Sequence, residues 1–412
     1  MTPTRREVFA AAAAAAAFGQ ARATERSTSW EKIAAQYNVT REIIQLENGN
    51  WGIMARPVLV AYERAVEMVN RRNSFYARRE FGRDYAQIRA RVAATLGVGT
   101  DEIVFTRNAT EALQALIGGY NRLKPGDHVL YADLDYDSMQ TAMDWLEIRR
   151  GVTVIRIALP ELATHQNLID AYEQALKNDP KIRLVLLTHI GHRTGLMIPV
   201  REIAAMARAR GVDVIVDAAH SWGQANFTAP ELSADFIGFN LHKWIGAPLG
   251  VGLLYIRKER IADIDPFMAG REAAQEGIAS RVHTGTVDFA ALLTVPEALD
   301  FHAAIGPSTI EARLRHLRAL WAEALRDHPG IEILTPEDKR LSVGITSFRL
   351  KNRTTTDENI AIAKALLEKH RIFTVHRTGI TKGACVRVTP ALFNSEEDVL
   401  SLRRALTGLA AG

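Results

Sequence analysis

Between residues 100 and 260 short apolar runs alternate with segments whose apolar positions recur at helical spacing. The runs "DEIVFT", "DHVLYAD", "TVIRIAL", "IRLVLLTHI" and "VDVIVDA" read as strands, and "DFIGFN" and "GVGLLYIRK" as two more joined by the turn "APLG". Between them "ATEALQALIGGYNRL", "DSMQTAMDWLEIRRG", "QNLIDAYEQALKN" and "VREIAAMARARG" read as helices. Such alternation predicts an α/β fold, a mostly parallel sheet with helices on both faces, and a ligand site beyond the carboxyl ends of the strands. Upstream, "STSWEKIAAQYNV" reads as an amphipathic helix, "LENGNWG" as an Asn- and Gly-rich turn, and residues 57 to 96 as long helices. Downstream, helix-rich sequence from about 290 to 330 and the runs "SVGITSFRL", "IFTVHRT" and "ACVRVTP" predict a smaller α+β domain. The expected organisation is a leader over 1–23, an N-terminal segment over 24–70 packing on the small domain and site, a large domain over 71–290 and a small domain over 291–412.

The leader changes the reading of compartment. "MTPTRREVFAAAAAAAAFGQARA" has adjacent Arg5 and Arg6, an apolar run from Val8 to Phe18, and Ala21-Arg22-Ala23 as a small-x-small cleavage site. The run is too short to span a bilayer. The paired arginines resemble a twin-arginine export signal, the bacterial route for proteins that fold before export, although Glu7-Val8-Phe9 displaces the usual order by one position. Export to the periplasm is the expectation. A cytoplasmic protein with an alanine-rich helical arm or tail is the alternative.

Composition narrows the function classes. The chain has 412 residues, 47% hydrophobic and 24% charged, which suits a globular protein with a large core. Net charge is +4, of which the leader supplies +2 through three arginines against one glutamate. With no basic cluster interleaved with aromatics, nucleic acid is not an expected partner. One cysteine, Cys385, excludes an internal disulfide and any Cys-rich metal site.

Polar residues gather at the strand ends. In "GFNLHKWIGAPLGVG", Lys243 follows an apolar run, where desolvation lowers an amine's pKa toward nucleophilic range; a packed stem with a solvated ammonium is the ordinary alternative. "VDVIVDAAH" puts Asp217 at another strand end with His220 close behind. In "FTRNATEAL", Asn108, Ala109 and Thr110 open a helix, the geometry that binds phosphate and equally the geometry of a plain cap. Tyr136 could stack on a flat ring, and "LLTHIGHRTG" adds His189, His192 and Thr194. Together, a carboxylate 26 residues before a buried lysine and a phosphate-type helix start meet the needs of pyridoxal phosphate: a Schiff-base amine, a partner for the ring nitrogen and an anion site.

With "TRNATEAL", "THIGHRTGLMIPV", "VDAAHSWGQ", "NLHKW", "HTGTVD" and "VRVTPALFNSEEDV" in this order, the chain resembles the class V aminotransferases among the fold-type-I pyridoxal phosphate enzymes. Within them it is most like the isopenicillin-N-epimerase branch, from "LENGNWG" to the C-terminus. The resemblance implies a seven-stranded-type sheet with Lys243 as the Schiff-base lysine, Asp217 partnering the ring nitrogen, His220 near the phenolic oxygen and Tyr136 stacking on the ring. Ala109, Thr110 and His242 would hold the phosphate, helped by Thr286 from the second subunit of a homodimer. Asn108, His192 and Asn240 complete the cofactor set. Arg387 would grip the substrate α-carboxylate, with Asn48 approaching the substrate.

Two positions depart from relatives. The desulfurase nucleophile loop has no cysteine in "FTVHRTGITKGA", and His192 stands where many relatives carry Asn or Ser. Cys385 lies two residues before Arg387, a spacing that lets it share a strand face and line the pocket, or serve as a small core residue. The expected function is α-carbon chemistry on an amino-acid or peptide-like substrate, epimerase-like, with Tyr136, His192 and Cys385 as candidates for a second acid. An aminotransferase or an oxidative tailoring enzyme of a secreted peptide natural product is the first alternative, and a catalytically silent cofactor-binding protein the second. Cysteine desulfurase activity is disfavoured.

Overall fold

The computed structural model describes residues 30–268, 277–282 and 285–411. The leader expected over 1–23 lies outside them, as does the start of the first expected helix, whose described part is helical over 30–34. Helices α1 (Arg56–Arg79) and α2 (Phe81–Leu96) fill the expected helical stretch. Pro57 sits in the first turn of α1, where its missing N–H has no intrahelical partner to lose, and Gly97 ends α2 in the left-handed region at φ 73°. The domain boundary expected at residue 70 therefore falls inside one helix.

Seven strands form the main sheet: β2 (Ile103–Thr106), β3 (His128–Ala132), β4 (Thr153–Ile157), β5 (Ile182–Thr188), β6 (Asp213–Asp217), β7 (Phe236–Asn240) and β8 (Gly252–Ile256). Their order is β2-β8-β7-β6-β5-β3-β4. Only β8 runs against its neighbours, so β2 points the same way as the five parallel strands and six carboxyl ends share one edge. The connecting helices are α3 (Ala109–Gly119), α4 (Asp137–Arg150), α5 (His165–Asn178) and α6 (Val200–Arg208). Central strands such as β5 and β7 are apolar along their length because helices cover both faces, which places Val185 and Phe239 in one core layer and Leu186 and Phe236 in the other.

Helix α7 (Phe289–Ile305) is apolar on nearly all sides, and its Ala291, Leu292, Val295 and Leu299 join the large core. The expected boundary at 290/291 thus passes through an element that packs on the large domain. Helix α8 (Pro307–Ala322) leads into a four-stranded antiparallel sheet of order β12-β13-β10-β9, built from β9 (Ile331–Ile333), β10 (Thr346–Leu350), β12 (Val375–Arg377) and β13 (Cys385–Val388). Helices α9 (Thr356–His370) and α10 (Glu396–Ala411) cover it, with Trp321, Phe348, Leu366 and Leu402 in a separate core. The N-terminal segment joins this smaller unit through β1 (Ile44–Gln45), which pairs parallel to β11 (Ile372–Phe373). Among the described residues no single helix is long and apolar enough to cross a membrane.

Candidate active site

At the shared edge of the strands a cavity of about 1630 Å3 opens between the large sheet, the small sheet and residues 38 to 54. Its floor is the loop after β7. Residues 242 to 246 turn sharply here, with Gly246 at φ 69°, and Gly52 lies so close that a Cβ there would sit 1.7 Å from the Lys243 carbonyl oxygen. The Gly52 N–H donates to the His242 carbonyl at 2.8 Å, so the "LENGNWG" turn is fastened directly over the lysine backbone.

Lys243 lines the cavity with its Nζ 3.1 Å from Nε2 of buried His220. Trp244 Nε1, which can only donate, lies 3.2 Å from His220 Nδ1. The neutral imidazole that accepts there carries its proton on Nε2 and donates it toward Lys243, which suits an amine with a free lone pair better than an ammonium. Charge preferences agree. Burial pulls the lysine down from 10.5 to about 8, opposed by Asp217, and burial followed by the Lys243 charge pulls His220 well below its ordinary value.

Asp217 ends β6 in the same cavity, buried, its Oδ1 accepting from the Ala219 N–H at 2.9 Å and its Oδ2 left for a donor in the cavity. Burial raises its pKa, and Lys243 opposes the rise. A protonated ring nitrogen is the kind of partner that keeps such a carboxylate ionised.

The anion end is built by β2, β7 and α3. Asn108 caps α3 by accepting from the Glu111 N–H at 2.8 Å, and Asn240 at the end of β7 accepts from the Ala109 N–H at 2.7 Å. The first helical turn leaves its amides without backbone partners, so these two bonds leave the Thr110 N–H and hydroxyl for a ligand. Gly252 packs beneath, where a Cβ would meet the Asn108 carbonyl carbon at 2.4 Å. His242 Nδ1 lies 3.2 Å from the Val251 carbonyl, so the imidazole donates there and Nε2 is its remaining nitrogen. Of the residues expected to hold phosphate, Thr110 and His242 are free to do so, while the Ala109 amide is engaged by Asn240 and Asn108 shapes the turn. Thr286 is exposed and does not line its own chain's cavity.

Tyr136 stands at the mouth before α4, its ring edge-on to His192 with centroids 5.0 Å apart. His192 is buried and pushed down to about 4 by that burial, against the pull of Asp137, and its Nδ1 has no partner. His189 is buried against Phe227 and, like Thr194, lies outside the cavity lining.

At the far end stand Asn48 and Arg387. Asn48 gives Nδ2 to the Thr389 carbonyl at 2.8 Å and its backbone N–H to Thr389 Oγ1 at 2.7 Å, so it ties the N-terminal turn to the end of β13. Arg387 Nη2 donates to both oxygens of Glu47, at 2.6 and 2.8 Å, and Nη1 to the His192 carbonyl at 2.7 Å. Cys385 shares the Arg387 face of β13, as the spacing requires, yet does not reach the cavity. It packs with Leu334 and Ile380, and burial pushes its thiol up to about 11.

Four participants escaped sequence reasoning. Glu47 sits beside Asn48 in the same turn, and Arg377 lines the cavity from β12. Buried Arg193 donates to the Asp133 and Asp135 carbonyls and to the Asp137 carboxylate, fixing the loop that carries Tyr136. Asp135 holds the end of β5 through the Thr188 N–H and hydroxyl and is pushed up to about 7 by burial. Each was visible only as a charged residue in a loop. No spacing rule distinguishes those from solvated ones.

An amine near neutrality, a buried carboxylate and a helix start with free donors around one cavity define the donor set of a pyridoxal phosphate site, and the residues fit that cofactor. The chain belongs to the aminotransferase class-V family, whose model matches residues 58–402, and proteins of this fold bind pyridoxal phosphate. It is 28% identical over 407 residues to isopenicillin N epimerase of Streptomyces clavuligerus, covering 92% of this chain and 98% of that protein. It is 27% identical to a probable cysteine desulfurase of Methanothermobacter thermautotrophicus, covering 80% and 84%. The fold also matches the solved structure of C-DES with glycine covalently linked to its pyridoxal phosphate, at a TM-score of 0.75 and 24% identity over 91% of this chain and 98% of that one.

Proposed function

We propose that this protein is a pyridoxal phosphate enzyme acting at the α-carbon of an amino-acid or peptide-like substrate, in the manner of isopenicillin N epimerase. The observation that carries the reading is Lys243: an amine pulled to about 8, held by His220 opposite Asp217 in a cavity that ends in two guanidinium groups. When bound, the cofactor supplies an electron sink conjugated to the substrate nitrogen. Asp217 Oδ2 would hold a proton at its ring nitrogen, Thr110 and His242 would anchor its phosphate, and Tyr136 would cover its ring. With the cofactor in place, Lys243 Nζ would be the base for the α-proton, with His220 orienting it. The arginine end receives a carboxylate. Epimerisation needs a second acid on the opposite face, for which Tyr136 and His192 line the cavity and Cys385 does not.

A persulfide-forming desulfurase needs a thiol over the site, and the chain's one cysteine is buried away from it. Exposed Thr286 suits the proposed homodimer, in which it completes the partner's phosphate site; a monomer by sedimentation of the loaded protein would rule that out. Residues 1–23 support export after folding, and a mature N-terminus other than the residue after Ala23 would count against it.

The test is incubation with L- and D-amino acids and short peptides in D2O without a keto acid. Deuterated substrate of inverted configuration is expected. Accumulation of the amine form of the cofactor would mark an aminotransferase, and keto-acid release with loss of a β-substituent a lyase. Absence of α-hydrogen exchange with every substrate would leave the silent binder.

A further inference from the structure

Two hydrogen bonds decide where His220 keeps its proton. A neutral imidazole has two tautomers, and which one is present follows from the partner of each nitrogen. Here Nδ1 faces Trp244 Nε1 at 3.2 Å, and an indole nitrogen is a donor only. A proton on Nδ1 would set two donors against each other and leave both unsatisfied, which is strongly unfavourable for a buried side chain.

Neither partner is free to turn away. His220 is buried, and Gln224, itself 1% exposed, donates Nε2 to the His220 carbonyl at 2.7 Å while its Oε1 accepts from the Gly344 and Ile345 amides at 3.0 and 3.2 Å. The loop after β6 is thereby held against the chain that leads into β10. Trp244 packs against the apolar cluster of Ile190, Ile310 and Leu314, and Gly223 at φ 89° lies so close that a Cβ there would sit 2.6 Å from the Trp244 carbonyl carbon.

The consequence falls on Lys243, whose Nζ lies 3.1 Å from His220 Nε2. With the proton on Nε2 the imidazole donates to an amine lone pair, which only the neutral lysine has. With the proton on Nδ1, Nε2 would be a bare acceptor and would bond an ammonium instead. The two tautomers thus favour opposite charge states of one lysine. The charged groups that also face the amine are Asp217 and Glu47, which favour the ammonium, and Arg387 and Arg377, which oppose it; His242 stands beside it, and Arg387, Arg377 and His192 face His220 as well. All of these remain when Trp244 alone is changed.

We propose that Trp244 is a positioning residue: its indole N–H fixes His220 as the Nε2-protonated tautomer, which makes His220 a standing donor rather than an acid or base and keeps Lys243 a neutral nucleophile. The inference rests on the proposed function only in taking Lys243 as the amine that receives the cofactor.

The experiment is nitrogen NMR of the full-length protein carrying 15N-histidine, loaded and cofactor-free, with His220 assigned by the loss of its signals in His220→Gln, together with the pH dependence of pyridoxal phosphate capture. In both forms of the parent, His220 is expected with Nε2 protonated, Nδ1 bare and no conversion to imidazolium from pH 6 to 8. In cofactor-free Trp244→Phe the proton should move onto Nδ1, and the midpoint of the capture profile should rise by ~1 pH unit, a ~10-fold slower capture at pH 7. His220→Gln, whose amide oxygen accepts from Trp244 and whose amide nitrogen donates to Lys243, should hold the midpoint near the parent's, which a proton-transferring histidine would not allow. A parent His220 protonated on Nδ1 or titrating in that range, a Trp244→Phe midpoint equal to the parent's, or a raised midpoint in His220→Gln would each overturn the proposal. Should Trp244→Phe fail to fold, the parent's tautomer and the His220→Gln midpoint decide. Both quantities are read without turnover, so absent α-hydrogen exchange would sink the proposed function and leave this result standing.

Discussion

Lys243 owes its chemistry to two neighbours and to burial. His220 can present only its Nε2 proton to the amine while Trp244 occupies Nδ1, and the low-polarity surroundings depress the lysine from 10.5 to about 8. The rate at which cofactor-free protein captures pyridoxal phosphate should therefore rise ~50-fold from pH 6 to 8 and level off about twofold higher, because the neutral amine is the nucleophile. Stopped-flow absorbance checks this, and a rate still climbing beyond pH 10 would show an ordinary solvated lysine. The residue itself was legible in the sequence, since an amine between His242 and Trp244 at the end of an apolar run invites the question. Its relation to His220 was not, because a contact 23 residues apart depends on how two loops fold over each other.

Among the elements, the start of α3 carries the most function for its length. Two side chains from different strand ends satisfy its Ala109 and Glu111 amides, which fixes the turn and leaves Thr110 for the ligand. Asn240→Ala should loosen that turn and weaken cofactor binding about tenfold, with little change in cavity shape. Equilibrium dialysis of the variant checks it; affinity equal to the parent's would make Asn240 dispensable. The strands and helices of the large sheet follow from apolar runs and 3.6-residue periodicity, so their order was readable along the chain. Sheet order was not. That β8 lies between β2 and β7, antiparallel to both, is decided by long-range pairing that no local pattern encodes. The placement of α7 is similar: its sequence is helical and apolar, and only packing shows that it belongs to the large core.

Across the whole molecule the buried titratable groups set a pH dependence. Burial pushes His189, His192, His242 and His302 down to about 4, and it pulls His220 well below its ordinary value. Between about 4 and 6.5 the unfolded chain thus binds more protons at these positions than the folded one, and stability falls as pH drops through that window. Asp135, raised from 3.8 to about 7, acts in the opposite sense, as does Asp217, but two carboxyls face five imidazoles. Urea unfolding of the cofactor-free protein should therefore lose at least ~2 kcal/mol between pH 7 and 5. A midpoint that stays level or rises would mean that the histidines keep their protons in the fold.

The most direct measurement of the central claim is borohydride reduction of the loaded protein followed by peptide mapping. One pyridoxyl adduct on the peptide containing Lys243, absent from Lys243→Ala together with the visible absorbance of the bound cofactor, is the expected result. An adduct on another lysine, or a visible band that survives in Lys243→Ala, would contradict the assignment of this cavity as the active site.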